Sequence, residues 1–100
     1  MSFEPNEIKA VERLVVVGNR MGLHSRPAAV IAKMLADLDA ELHLCREVGE
    51  LEDADCRSVL SLLVLAASNG TRLRLRGTGP DAEIAVERIG KFFDRNFDEE

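Results

Sequence analysis

The residues best suited to do chemistry lie in the segment 22–29, where His24, Ser25 and Arg26 precede Pro27. A neutral imidazole is a competent nucleophile near pH 7. Proline is favoured at the first helical position, because its missing N–H would be unpaired there anyway. The segment therefore predicts that a helix begins here, with His24 and Ser25 at or beside its N-cap.

This helix start is also suited to bind an anion. Its first turn carries Arg26, and the next acidic residue along the chain is Asp37. Unpaired backbone N–H groups and the positive end of the helix dipole attract phosphate groups. A phosphoryl group on His24 would meet these amides and a guanidinium, which stabilise its charge. From the residues alone, a phosphoryl acceptor and a structural or capping histidine remain equally open.

Length and composition limit the class of protein. One hundred residues are enough for one domain, and the net charge of −5 argues against a general nucleic-acid binder. The sequence has no apolar run long enough for a bilayer span and no signal-peptide core in residues 1–10. Cys45 and Cys56 match neither a disulfide framework nor a zinc spacing. We expect a cytoplasmic protein with two reduced thiols.

The hydrophobic pattern predicts seven elements in the order strand, helix, strand, strand, helix, strand, helix. We expect strands at 12–18, 41–46, 50–52 and 71–76, and helices at 26–38, at 57–68 and from 79–81 onward. Asp55 fits the N-cap of the second helix, and residues 69–70 fit its C-cap. Strands that alternate cleanly have one wet face, so the helices should cover one face only. The predicted fold is an α+β open-faced sandwich with a four-stranded antiparallel sheet and three helices on one face.

The same pattern divides the chain into three parts. We expect residues 1–11 to form a polar lead-in, residues 12–97 a single domain, and residues 98–100 a solvated acidic tail. Phe97 is the apolar residue able to anchor part of that tail.

Two further polar groups are expected to be structural or solvated. Arg72, Arg74 and Arg76 form a row on the open face of the sheet, where strand glutamates can pair with them. His43 and Cys45 share a strand face, but two ligands do not make a metal site.

Residues 22–29, Gly-Leu-His-Ser-Arg-Pro-Ala-Ala, resemble the active-site signature of the HPr family, usually Gly-Leu-His-Ala-Arg-Pro-Ala. Its members are phosphocarriers of the bacterial phosphoenolpyruvate-dependent phosphotransferase system. Residues 55–59, Asp-Cys-Arg-Ser-Val, resemble the Asn-x-Lys-Ser-Ile segment that opens the family's second helix. The resemblance covers about residues 12–97 and implies the open-faced sandwich with the order βαββαβα.

The resemblance implies that His24 accepts a phosphoryl group at Nδ1 from Enzyme I and passes it to a histidine of an EIIA-type protein. Arg26 would assist the transfer, and the segment Ser25, Arg26, Pro27 and Ala28 would hold the phosphate. The carrier would be a transfer intermediate rather than a turnover enzyme, with no metal or cofactor. We expect a monomer that does not insert into membranes.

The resemblance also assigns roles outside this segment. Ser58, which reads locally as a helix-start serine, would be a regulatory phosphorylation site served by a serine kinase and phosphorylase. Leu60 and Leu63 would be exposed near the active histidine and would form, with Leu23, a surface on which partners dock.

Finer similarities favour the nitrogen-related NPr branch of the family, with the sugar branch as the close alternative. They lie in residues 19–22, 62–65, 78–80 and 97–100.

Two other function classes remain. An HPr-like regulatory binding module, controlled by phosphorylation of Ser58, is disfavoured by the intact pair of His24 and Arg26. A small nucleic-acid-binding α+β domain is disfavoured by the net charge of −5 and by the absence of Tyr and Trp.

Overall fold

The computed structural model describes residues 10–48 and 53–99. Within these ranges the chain forms four strands and three helices, and a short 3-10 turn follows the last helix. The elements are β1 (Val11–Val16), α1 (Ser25–Met34), β2 (Glu41–Arg46), β3 (Ala54–Asp55), α2 (Val59–Leu65), β4 (Arg72–Thr78), α3 (Ala82–Asp94) and the turn Asn96–Asp98. The predicted order of elements is confirmed.

The strands form one antiparallel sheet in the order β1-β4-β2-β3. Side chains alternate between its two faces, and Leu73 and Leu75 of β4 are fully buried on the inner one. The three helices cover that face with apolar side chains that have no exposed surface or almost none: Ile31 of α1, Leu62 of α2, and Ile89 and Phe93 of α3. The predicted open-faced α+β sandwich is confirmed.

The open face carries the predicted row of arginines, and glutamates pair with it. Arg74 and Arg76 lie 3.9 and 3.5 Å from the carboxylate of Glu12, and Arg72 lies 2.6 Å from that of Glu47. These pairs are solvent-exposed, so they contribute little to stability.

The short strand β3 comprises Ala54–Asp55, a pair that the sequence assigned to no strand. The strand that pairs with β2 is Ala54–Asp55, opposite His43 and Leu44; the predicted strand 50–52 lies outside the described residues. Asp55 is therefore not a helix N-cap. Its carboxylate accepts a hydrogen bond from the N–H of Arg57 (2.9 Å), which closes the turn between β3 and α2.

Helix α2 is shorter than predicted at both ends. Ser58 is its N-cap and accepts a hydrogen bond from the N–H of Ser61 (3.1 Å). The helix ends at Leu65, and its C-cap is Ala66, in a left-handed conformation, rather than residues 69–70. The next residue, Ala67, is buried outside any helix or strand, so the apolar pattern continues beyond the helix itself.

Helix α1 ends at Met34, four residues before the predicted end, and the side chain of Arg57, from the turn between β3 and α2, binds the segment that follows it. The guanidinium of Arg57 donates to the carbonyl oxygens of Leu35 (2.9 Å), Leu38 (2.6 Å) and Ala40 (2.8 Å). Leu35 is the C-cap of α1, and Leu38 and Ala40 lie in the loop between α1 and β2. The hydrogen bonds from Arg57 tie the start of α2 to the end of α1.

None of the helices in the described ranges is long and apolar enough to cross a membrane.

Candidate functional site

His24 is placed by a loop that is bound to the segment after α2. The N–H of Leu23 donates to the carbonyl oxygen of Ala67 (2.9 Å), and Gly22 has a φ of +73°. A Cβ on Gly22 would lie 2.6 Å from the same oxygen. Only glycine fits where the backbone of Gly22 comes this close to Ala67. The contact fixes the loop that leads into His24, the N-cap of α1.

The start of α1 leaves two amides for an external acceptor. His24 is the N-cap, and its side chain does not cap the helix. The N–H of Ala28 is used in the first helical bond, to the carbonyl oxygen of His24 (3.1 Å), and Pro27 has no N–H. Only Ser25 and Arg26 therefore have amides outside the helical hydrogen-bond pattern.

This arrangement corrects two expectations about the phosphate-binding segment. Pro27 is the third helical residue rather than the first, and it is buried together with Ala28. Neither of them offers an amide to a phosphate. The prediction that the first turn lacks an acid is confirmed.

The two chemically active side chains differ in exposure. The side chain of Arg26 is 74% exposed, whereas that of His24 is 22% exposed. The exposed guanidinium of Arg26 offers planar, paired donors to a phosphate oxygen near the imidazole.

A carboxylate from the far end of the chain binds the imidazole. Nε2 of His24 lies 3.0 and 3.2 Å from the two carboxylate oxygens of Glu99, and the guanidinium of Arg26 lies 3.8 Å away. Asn19 donates from Nδ2 to the same carboxylate (2.8 Å) and to the carbonyl oxygen of Gly22 (2.8 Å). The hydrogen bonds from His24 and Asn19 hold the pKa of the Glu99 carboxyl below its usual value.

The expectation of a solvated acidic tail is therefore wrong for Glu99, whose side chain is 13% exposed. Its position depends on Phe97, which is buried against Phe92 and Phe93 with ring centroids 5.2 and 4.8 Å apart. The anchoring role of Phe97 is confirmed. Sequence reasoning missed both Glu99 and Asn19, and Phe97 within an otherwise acidic ending was the available signal.

The predicted docking residues have different environments. Leu60 and Leu63 of α2 are 71% and 38% exposed, and Val64, which was not predicted, is 70% exposed. Leu23 is 4% exposed, so its side chain belongs to the core and not to a docking surface. Helix α2 packs against α1, whose first turn follows His24.

Ser58 lies at the start of α2 with its hydroxyl partly buried and engaged as the N-cap. The local interpretation of Ser58 as a helix-start serine is confirmed.

Within the described ranges, no three His, Cys, Asp or Glu side chains are grouped so that they could hold a metal ion. His43 and Cys45 lie half-buried on β2.

Comparison with known proteins agrees with this geometry. Residues 11–95 match the family model described as the PTS HPr component phosphorylation site. The chain is 38% identical over 89 residues to phosphocarrier protein NPr of Shewanella violacea, covering 89% of this chain and 94% of that protein. It is 33% identical over 90 residues to phosphocarrier protein HPr of Treponema pallidum, covering 90% and 99%.

A solved structure has the same fold. HPr-C-His from Thermoanaerobacter tengcongensis superposes with a TM-score of 0.80, at 23% identity, over 90% of this chain and 98% of that one.

Proposed function

Because the chain belongs to the HPr family of phosphocarriers of the phosphotransferase system, we propose that His24 is the residue that carries the phosphoryl group. The observation that supports this assignment best is the position of His24. It is the N-cap residue of a helix that has no acid in its first turn, its ring is partly exposed, and Arg26 is one turn or less away. That environment accepts an anion and contains a nucleophile.

The chemistry we propose is a transfer between two histidines. The lone pair on Nδ1 of His24 attacks the phosphorus of phospho-Enzyme I, and the P–N bond to the donor histidine breaks as the new P–N bond forms. Charge on the phosphoryl oxygens is stabilised by the amides of Ser25 and Arg26 and by the guanidinium of Arg26. The reverse chemistry passes the group to a histidine of an EIIA-type protein, and the carrier supplies no metal or cofactor.

We assign partner docking to the exposed apolar side chains of α2, namely Leu60, Leu63 and Val64. An apolar patch of this kind on a small protein favours association with another protein. Family membership supports phosphotransferase enzymes as the partners in general, and Enzyme I with an EIIA-type acceptor is the specific pairing proposed. Phosphorylation of Ser58 would add charge next to this patch and oppose docking.

For the branch, we propose the nitrogen-related one, on the sequence features at 19–22 and 97–100. The second of these now includes the carboxylate that binds His24. The cytoplasm is the compartment proposed, and the two free thiols, Cys45 and Cys56, suit a reducing environment.

The test is phosphorylation by phosphoenolpyruvate and Enzyme I. The wild type should gain a phosphate that is labile in acid and stable in alkali. The His24→Ala variant should gain none, whereas His43→Ala, which removes the other histidine of the chain, should be labelled like the wild type. The proposal fails if no phosphate is gained, or if the phosphate survives His24→Ala.

A further inference from the structure

We propose that Glu99 is a positioning residue that keeps a proton on Nε2 of His24 throughout phosphoryl transfer. This inference rests on the proposed function of His24. The contact is bifurcated, with Nε2 facing both carboxylate oxygens of Glu99 at 3.0 and 3.2 Å. A carboxylate only accepts hydrogen bonds, so it selects the tautomer that has its proton on Nε2 and its lone pair on Nδ1.

The same contact changes the energy of the phosphorylated ring. When Nδ1 bonds to phosphorus while Nε2 keeps its proton, the ring becomes a phosphorylated imidazolium with one positive charge. The carboxylate of Glu99 stabilises that charge at hydrogen-bond distance. Loss of the Nε2 proton would instead turn a lone pair toward the carboxylate, which is unfavourable. The protonated ring is also the better leaving group, because the P–N bond then breaks to give neutral imidazole.

The tail is built to hold this carboxylate. After α3, the turn Asn96–Asp98 has φ values of 56°, 57° and 58°, a left-handed conformation that residues with a Cβ rarely adopt. The buried ring of Phe97 fixes the turn against α3. Consecutive unfavourable residues persist only where the surrounding structure determines them, and here they direct Glu99 to the imidazole.

Asn19 holds Glu99 from the other side. It is fully buried, its Nδ2 donates to Glu99, and its Oδ1 has no hydrogen-bond partner among the described residues. If the side-chain amide of Asn19 were rotated by 180°, both of these hydrogen bonds would be lost. Oδ1 would then face two acceptors, the Glu99 carboxylate and the carbonyl oxygen of Gly22. The orientation that lets Asn19 donate to Glu99 thus leaves a buried oxygen without a partner among the described residues, which is unfavourable by itself.

Among the residues that the structure describes, the titratable and charged groups in contact with this carboxylate are the imidazole of His24 and the guanidinium of Arg26. The neighbouring acid, Asp98, pairs instead with Arg95 (2.8 Å). Asp98→Asn is therefore a matched control. It changes the net charge of the tail by the same amount as Glu99→Gln but removes no contact with the imidazole.

The experiment compares Glu99→Gln with Asp98→Asn in the full chain. We expect Glu99→Gln to accept phosphate from phospho-Enzyme I roughly tenfold more slowly, because it loses a charge-assisted hydrogen bond, and Asp98→Asn to remain within about twofold. In 15N-labelled protein, the neutral ring of His24 should hold its proton on Nε2 in the wild type, and Glu99→Gln should shift the ring toward the tautomer with its proton on Nδ1.

The readouts separate this inference from the proposed function. If His24→Ala abolishes labelling but Glu99→Gln matches the wild type in rate and in Nε2 protonation, the role of Glu99 is overturned and that of His24 stands. A slower rate with unchanged Nε2 protonation also overturns the inference, because the effect would then be structural. If Glu99→Gln and Asp98→Asn slow phosphoryl transfer equally, the effect comes from the net charge of the tail, and the inference is overturned.

Discussion

Gly22 and Ala67 are in a backbone contact that only glycine permits. A Cβ at Gly22 would lie 2.6 Å from the carbonyl oxygen of Ala67, and the φ of Gly22 is +73°. The contact joins the loop before the candidate nucleophile to the segment after α2, which carries the exposed apolar patch. One local interaction therefore joins the loop of the candidate nucleophile to the helix with the exposed apolar side chains.

Gly22→Ala should destabilise the protein, because it combines a left-handed backbone with a clash against backbone. We expect a loss of about 1–3 kcal/mol in the free energy of unfolding, measured by denaturant titration. Gly70→Ala is the matched control: its φ is +89°, and a Cβ there meets nothing within 4 Å. Its loss should be the smaller of the two, and equal losses would show that the contact with Ala67 is unimportant.

Ser58→Ala should remove the N-cap of α2, which is formed by the hydrogen bond from the N–H of Ser61 (3.1 Å). The expected cost is about 1 kcal/mol in the free energy of unfolding. Ser58→Asp should retain the cap, because a carboxylate also accepts that bond, while adding a charge beside the docking patch. Weaker transfer from Enzyme I in Ser58→Asp but not in Ser58→Ala would support a charge-based switch. Equal transfer in both would contradict it.

The two thiols should differ in reactivity. Burial, with a smaller contribution from the charge of Asp55, raises the pKa of the Cys56 thiol to about 12. Since the thiolate is the reactive form, an alkylating reagent at about pH 8 should modify half-buried Cys45 and spare Cys56 until the protein is denatured. Mass spectrometry of the intact and digested protein measures this, and rapid native labelling of Cys56 would contradict it.

Burial of Cys56 also makes stability depend on alkaline pH. Between the ordinary thiol pKa of about 8.5 and the folded value, the unfolded chain loses this proton and the native protein retains it, so stability falls as the pH rises. Cys56→Ser should reduce that slope in denaturant titrations, whereas Cys45→Ser should not. Parallel slopes in all three proteins would show that Cys56 does not cause the loss.

Glu99 should contribute stability at neutral pH that is lost in acid. The hydrogen bond from His24 makes the largest contribution to lowering the pKa of the Glu99 carboxyl in the folded protein, and the hydrogen bond from Asn19 makes the next largest. The unfolded chain therefore binds this proton at a higher pH than the native protein does. Stability should therefore decline as the pH falls through the folded pKa. The decline should be shallower in Glu99→Gln than in Asp98→Asn, as followed by thermal unfolding at a series of acid pH values.

The sequence predicted the fold well where the pattern of side chains is set by local periodicity. The alternation in β4 places Leu73 and Leu75 inward, and the sheet shows that arrangement. Periodicity failed in α2, because nearly every residue there is apolar whether it faces the core or solvent. Leu62 is fully buried and Leu60 is 71% exposed, although both are leucines. They differ only in the side of the helix on which they lie.

At the site, the sequence by itself predicted the candidate nucleophile His24, the nearby Arg26 and a helix that begins beside them, since these depend on neighbouring residues and on the chemistry of a helix N-terminus. Only the tertiary structure decided that Ser25 and Arg26 have the available amides and that Leu23 is buried. Only it brought Glu99 to His24, 75 positions earlier in the chain. A carboxylate at that separation has no local pattern to reveal it, because its position depends on the packing of Phe97 and a left-handed turn.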